Sequence, residues 1–473
     1  MLAACGAAAA GLLVGDRRLR LIAIATALAI APVLVLGSVW DEPRIVDFRS
    51  SVAQVGGALA VAGLGVAGLV ALFRRLPEAF AISAFAVLPL RVPVEIGGET
   101  ANLLVPLYLV IAAGVVTAAL AAPQAPRREP DRWALWLRRL LAATLVLYAL
   151  QAAYSDDVAN AIENIGFFLV PFSVLFTLLA GVEWSRTLLR HVLIAVAAVA
   201  TGCALVGIYQ YFARDLFLNP ELFDANQLHV YFRVNSIFFD PNIFGRYLAV
   251  AITALAACIA WGGPRRDLAL AALVCALALI ALAFSYSITS LAALLAGLGI
   301  IAVLRWRWRG AIAFGALGLV GLVALAIAGG TPTSDIETDR SIDSGHADLI
   351  EGGLDLARDE PLTGWGSGAF GRAFYEEIEQ ARTTVSHSEP ITVAAEQGAI
   401  GLVVYAGLLV TALVALISGA GSSLARTAIA ACFVALLIHS FGYTGFVIDP
   451  AVWALLALGV ALRPGPPARS ATI

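Results

Sequence analysis

Residues 387–416 read HSEPITVAAEQGAIGLVVYAGLLVTALVAL. Beyond Pro390 the run keeps one charged side chain, Glu396. It is longer than the roughly 20 residues a helix needs to cross a ~30 Å hydrocarbon core. Just before it lies the largest polar stretch of the chain, residues 331–390, so the quoted segment marks where water-facing chain enters apolar helix. Other apolar runs lie near 20–38, 51–73, 78–91, 101–122, 134–153, 163–181, 190–212, 243–261, 267–284, 288–304, 310–328, 427–441 and 450–462. Several are short. The pattern predicts an all-α polytopic transmembrane bundle of about 12–14 spans, with one large loop, 329–390, that carries short helices.

Composition agrees. The chain has 473 residues, 60% hydrophobic and 13% charged, where water-soluble domains carry about 45–50% apolar and about 25% charged residues. The net charge of −3 says little by itself, because its distribution matters more; no nucleic-acid partner is expected, and every basic residue is Arg because Lys is absent. Cys5, Cys203, Cys258, Cys275 and Cys432 all sit in or beside apolar runs and read as small core hydrophobes, not as disulfides or metal ligands.

Arginines mark one side of the bundle: Arg17-Arg18, Arg74-Arg75, Arg127 to Arg139, Arg186 to Arg190, Arg265-Arg266 and Arg305 to Arg309. The positive-inside rule makes that side, and both termini with it, cytoplasmic. The opposite side receives 213–242 and 329–390. Residues 331–388 hold twelve acids against four arginines, consistent with an extracytoplasmic loop.

The unusual polar residues crowd that outer boundary. His387 precedes a helix start, with Ser388 as a plausible N-cap and Pro390 in the first turn. The positive end of the helix dipole favours a neutral imidazole there, which suits a general base; a solvated interfacial histidine is the plainer alternative. Asp240 caps and Pro241 starts the following span, with Asn242 beside them. Arg246, one turn in, must face protein or a polar cavity. Arg233 and Arg340, on the two outer loops, could clamp a diphosphate or simply pair with loop acids. Gly364, Gly366 and Gly368 read as a tight turn that lets Trp365 and Phe370 pack. His229 and His346 could join His387 at a metal, but no ligand spacing supports one.

These strings resemble the signatures of the O-antigen ligase and polysaccharide polymerase superfamily. His387-Ser388, nine residues, Gly398, two residues and Gly401 is similar to its histidine-to-glycine motif, and Glu396 to Gly401 to its Glu-x-Gly-x-x-Gly. Pro361 to Phe370 resembles its glycine turn, and Arg233 to Gly245 its Arg-x-x-Ser-x-Phe-x-Asp-Pro-Asn string. One departure is Ile288, where family members often carry Arg. The resemblance covers roughly 190–450, leaving 1–189 as N-terminal spans and 451–473 as a last span and tail.

The resemblance implies an inverting, metal- and cofactor-free glycosyltransferase in a bacterial plasma membrane. It would move a glycan from undecaprenyl diphosphate to a hydroxyl on a glycan, lipid or protein acceptor. By the same carry-over His387 is the base or acceptor-orienting residue and Arg233 and Arg340 hold the diphosphate. Asp240, Asn242, Arg246, Glu396, Gly398 and Gly401 support them. A secondary transporter or lipid flippase is the competing class, but it calls for ionisable or broken helices at mid-membrane, and charges here sit near span ends.

Overall fold

In a computed structural model of the chain, the described residues are 1–96, 99–122, 131–217, 219–227, 231–328, 340–378 and 386–463. Among them, nine helices are long and apolar enough to cross a membrane, from Arg17–Ser38 to Glu389–Ser422. Four shorter apolar helices join them: Leu2–Leu13, Val105–Leu120, Leu424–Ser440 and Pro450–Ala461. The protein is an all-α, multi-pass membrane bundle.

Two local readings need correction, and one break falls where the runs place it. Leu2–Leu13, too short to register as a span, is a buried helix whose Ala4, Cys5, Ala8 and Leu12 pack in the main core. The run 78–91 is helical only over Glu78–Ala86. Pro89 and Pro93 lack the amide proton a helix needs, and the chain turns instead into an antiparallel hairpin, Val92–Ile96 with Glu99–Leu103. The runs 288–304 and 310–328 are separated by a reversal at Arg307 (φ 55°, ψ −137°). Phe314 packs on Gly299, where an added Cβ would come within 3.1 Å of its ring; a straight helix would hold the two about 22 Å apart.

Two apolar clusters build the bundle. The larger joins the N-terminal helices to Glu389–Ile417, Leu424–Ser440 and Pro450–Ala461. The smaller joins Arg186–Ala213, Pro241–Trp261 and Arg265–Phe284. Helix Pro241–Trp261 belongs to the second cluster and also packs against Leu424–Ser440 of the first. The ends of these two helices, with the 441–449 loop, bring the polar residues of both halves together.

The candidate active site

Glu389–Ile417 is broken at Gly398 (φ 60°, ψ −162°), and the glycine turn 364–368 fills the break. Gly364, Gly366 and Gly368 all take positive φ, of 67°, 99° and 81°. Two amides of the turn, Trp365 N and Gly366 N, donate to the carbonyls of Ala395 (3.0 Å) and Glu396 (2.9 Å), which the break leaves open. Ala399 N donates back to Pro361 O at 2.9 Å. The contact is so close that a Cβ at Gly398 would sit 2.4 Å from the Leu362 carbonyl carbon. Glu396 accepts from the amides of Gly368 (2.9 Å) and Phe370 (3.3 Å), at the start of helix Phe370–Ile378. Gln151, from the N-terminal region, donates to both Thr363 O (3.1 Å) and Gln397 O (3.0 Å). Glu396, Gly398 and the glycine turn are thus one hydrogen-bonded joint. Gly401 lies one turn on, against Gln397.

His387 stands beside this joint in a left-handed conformation (φ 58°) that costs a non-glycine residue about 1–3 kcal/mol. Ser388 holds the N-cap position without a side-chain capping bond; instead its amide donates to Ser386 Oγ at 3.1 Å. The carboxylate of Glu389 accepts from the amides of Gly445 (2.6 Å), Phe446 (3.1 Å) and Val447 (3.3 Å), which fixes the 441–449 loop against His387. From that loop Tyr443 reaches the histidine, ring centroids 5.9 Å apart. Burial first, and the nearby Asp240 carboxylate second, push the Tyr443 phenol above the usual range.

Behind Tyr443 is a residue the sequence reading passed over. His439 is fully buried, 5.8 Å from Tyr443 by ring centroid, with Nε2 3.1 Å from Ser290 Oγ. Ser290 Oγ lies 2.8 Å from Ser287 Oγ, Ser287 donates to Asn242 Oδ1 (2.8 Å), and Asn242 Oδ1 accepts from Arg233 (3.3 Å). Arg233 Nε donates to Ser285 O at 3.0 Å. Polar contacts therefore link Arg233 to His439, and ring contacts through Tyr443 continue to His387. Asp240 caps Pro241–Trp261 by accepting from Asn242 N (2.6 Å) and Ile243 N (3.3 Å). Ile288 is 84% exposed, while its neighbours Ser287 and Ser290 point inward.

Arg246 pairs with Asp449 at 3.0 Å, both largely buried. The pair forms the polar wall of a narrow recess of about 80 Å³, otherwise lined by Phe85, Leu88, Phe238, Tyr247 and Leu455. Arg91, another residue missed earlier, enters the same recess; its buried Nε has no hydrogen-bond partner among the described residues. Burial lowers the Arg91 pKa and nearby Asp449 opposes that shift, yet a guanidinium stays charged at any physiological pH. Both oversights had one available signal, an ionisable residue at the end of an apolar run.

Arg340 opens helix Arg340–Asp359, but its side chain, that of His346 and all of His229 lie outside the described residues. Among the described residues no three His, Cys, Asp or Glu side chains converge as a metal set.

Residues 273–406 match the sequence model of the family described as O-antigen ligase. The match contains Ser287, Ser290, the glycine turn, His387 and Glu396; the Arg233 string lies before it. No curated protein matches the chain. The chain resembles the O-antigen ligase superfamily over this stretch.

Proposed function

We propose that this O-antigen ligase-like protein is a glycosyltransferase that moves a glycan from undecaprenyl diphosphate to an acceptor hydroxyl at the outer face of a bacterial plasma membrane. One observation carries the reading. An apolar recess headed by the guanidiniums of Arg91 and Arg246 lies beside a strained histidine, with Tyr443 and Asp240 between them. The arginines suit the donor's diphosphate; at about 80 Å³ the recess is too small to seat its lipid chain as well.

The chemistry follows from those roles. The acceptor oxygen attacks the anomeric carbon from the face opposite the diphosphate, a new C–O bond forms, and the bond to the diphosphate oxygen breaks with inversion. His387 takes the acceptor proton. Because Asp449 neutralises Arg246, the unpaired Nε of Arg91, with Arg233, meets the charge growing on the leaving group. Arg340 keeps its assignment by resemblance. Ligase and polymerase share this donor and differ in the acceptor.

The arginine-rich connections are assigned to the cytoplasm together with both termini, and 329–390 to the outside. The region 190–450 holds the catalytic apparatus, with Arg91 and Gln151 reaching it from 1–189 and a last span and tail over 451–473. A cysteine replacing the exposed Arg372 should react with a membrane-impermeant thiol reagent in intact cells; reaction only after lysis would reverse the orientation. In proteoliposomes carrying undecaprenyl-diphosphate glycan and an acceptor, wild-type protein should transfer glycan and release lipid diphosphate. Movement of the lipid across the bilayer without transfer would instead make the protein a flippase.

A further inference from the structure

A second cavity, of about 240 Å³, shares no lining residue with the arginine recess. The 441–449 loop separates them: Thr444, Gly445, Val447 and Ile448 line the cavity, and Asp449 lines the recess. Its position relative to His387 is close on two counts. Glu389 and Thr392 bound it from the first turn of the helix that His387 precedes, and Thr444 follows the tyrosine that touches His387.

The lining mixes polar groups with the apolar side chains of Leu169, Val393, Val404, Val447 and Ile448, and it offers no free charge. Glu389 and Glu396 reach its wall, but their oxygens accept from five backbone amides. An occupant would meet the amide of Gln397 and the hydroxyls of Thr444 and Tyr405, beside the bonded Asn164–Tyr148 pair (2.9 Å) and Thr392, which bonds Ser386 (2.9 Å). Tyr405 is 5% exposed, and its buried hydroxyl makes no hydrogen bond of ordinary geometry. A buried hydroxyl without a partner is destabilising, and the great majority in folded proteins are satisfied by protein or water. Neutral amides and hydroxyls beside two aromatic rings match an uncharged, hydroxyl-dense ring. They give a phosphate no cation, and the aliphatic side chains between them suit the apolar faces of such a ring. The space would hold about eight waters at ~30 Å³ each and is below the ~300 Å³ of a drug-sized site, so it suits one ring rather than a chain.

We propose that this cavity binds one uncharged sugar ring of the acceptor glycan and presents it to His387 from the side away from the arginine recess. The inference rests on the glycosyl-transfer reading and names the acceptor's chemical class.

The test uses the purified full chain in detergent, with Val404, a lining residue, replaced by cysteine. A small polar thiol reagent is applied, and labelling at residue 404 is followed by mass spectrometry. Uncharged hexoses and N-acetylhexosamines should slow labelling several-fold. Glucuronate and inorganic phosphate should not. Adding Tyr405→Phe should abolish the protection, while His387→Ala should preserve it. Equal labelling with and without every sugar would leave a water-filled cavity and overturn the proposal, as would a thiol that never reacts. Protection by undecaprenyl-diphosphate glycan but by no free sugar would assign the ring to the donor, also overturning it. The two readings fail separately. Sugar protection without any glycan transfer would remove the transferase and keep the site. Normal transfer by Tyr405→Phe without protection would do the reverse.

Discussion

The glycine joint and the histidine corner lie on one helix start, Glu396 nine residues after His387, and they are built in opposite ways. At the joint the backbone is largely accounted for: Glu396 accepts two amides, the glycines take the positive φ values that suit them, and Gln151 ties the turn to the helix, although Ser367 Oγ and Gln151 Oε1 are buried without a hydrogen bond among the described residues. At the corner the backbone is strained at His387, and Arg91 carries a buried, unbonded Nε. The stretch that matches the O-antigen ligase model spans both, and in it the glycines and Glu396 hold a shape. Conformational cost concentrated at one position and hydrogen-bond satisfaction at the next is what a preorganised site requires.

The sharpest way to break this contrast is at the corner. His387→Ala should lower transfer by about 10²–10⁴, the usual worth of a general base, with membrane level and unfolding temperature unchanged. His387→Gln separates two roles, since glutamine orients an acceptor but does not take its proton at neutral pH. Near-normal transfer by Gln would make the histidine a positioning residue, and full activity in both variants would remove it from the chemistry. Arg91→Lys should follow, with a loss of about 10-fold or more, because a point charge lacks the planar fork that meets two phosphate oxygens. An unchanged rate would show that the recess does not hold the donor's head.

The joint should respond in a different observable. Gly398→Ala forces a side chain into a left-handed conformation and against Leu362, at a cost of about 3 kcal/mol or more. Glu396→Gln leaves two amides with a weaker acceptor, at about 1–2 kcal/mol. Both should reduce the amount of folded protein in the membrane, while transfer per folded molecule falls much less. A Glu396→Gln protein that is stable but inactive would move the carboxylate from scaffold to chemistry. The smallest effect is expected at Ile288→Ala, a position that is 84% exposed: transfer and stability should both stay near wild type. A large loss would mean that this surface meets substrate.

Much of the architecture was legible because apolar runs are long and their lengths are set by the bilayer. The exceptions have physical causes. Leu2–Leu13 is shorter than a membrane is thick, so a length criterion passes over it although its neighbours bury it. Residues 78–91 have the hydropathy of a span, and two prolines stop the helix. The candidate site divides along similar lines. The spacing around His387, Asp240 and Gly398 is local and can be read along the chain. The convergence of Arg91, Arg246 and the 441–449 loop that carries Tyr443 and Asp449 joins three distant segments, and no local pattern encodes it. His439 gave one hint, an imidazole in an apolar helix. Its bond to Ser290 depends on how two helices pack.

The left-handed backbone at His387 also constrains which amino acids the position tolerates. Glycine adopts that conformation freely and asparagine comes next, whereas valine and isoleucine are the worst fits. A library of all twenty residues at 387, sorted once for folded protein and once for glycan transfer, should therefore return two discordant rankings. Glycine should sit near the top of the first and at the bottom of the second.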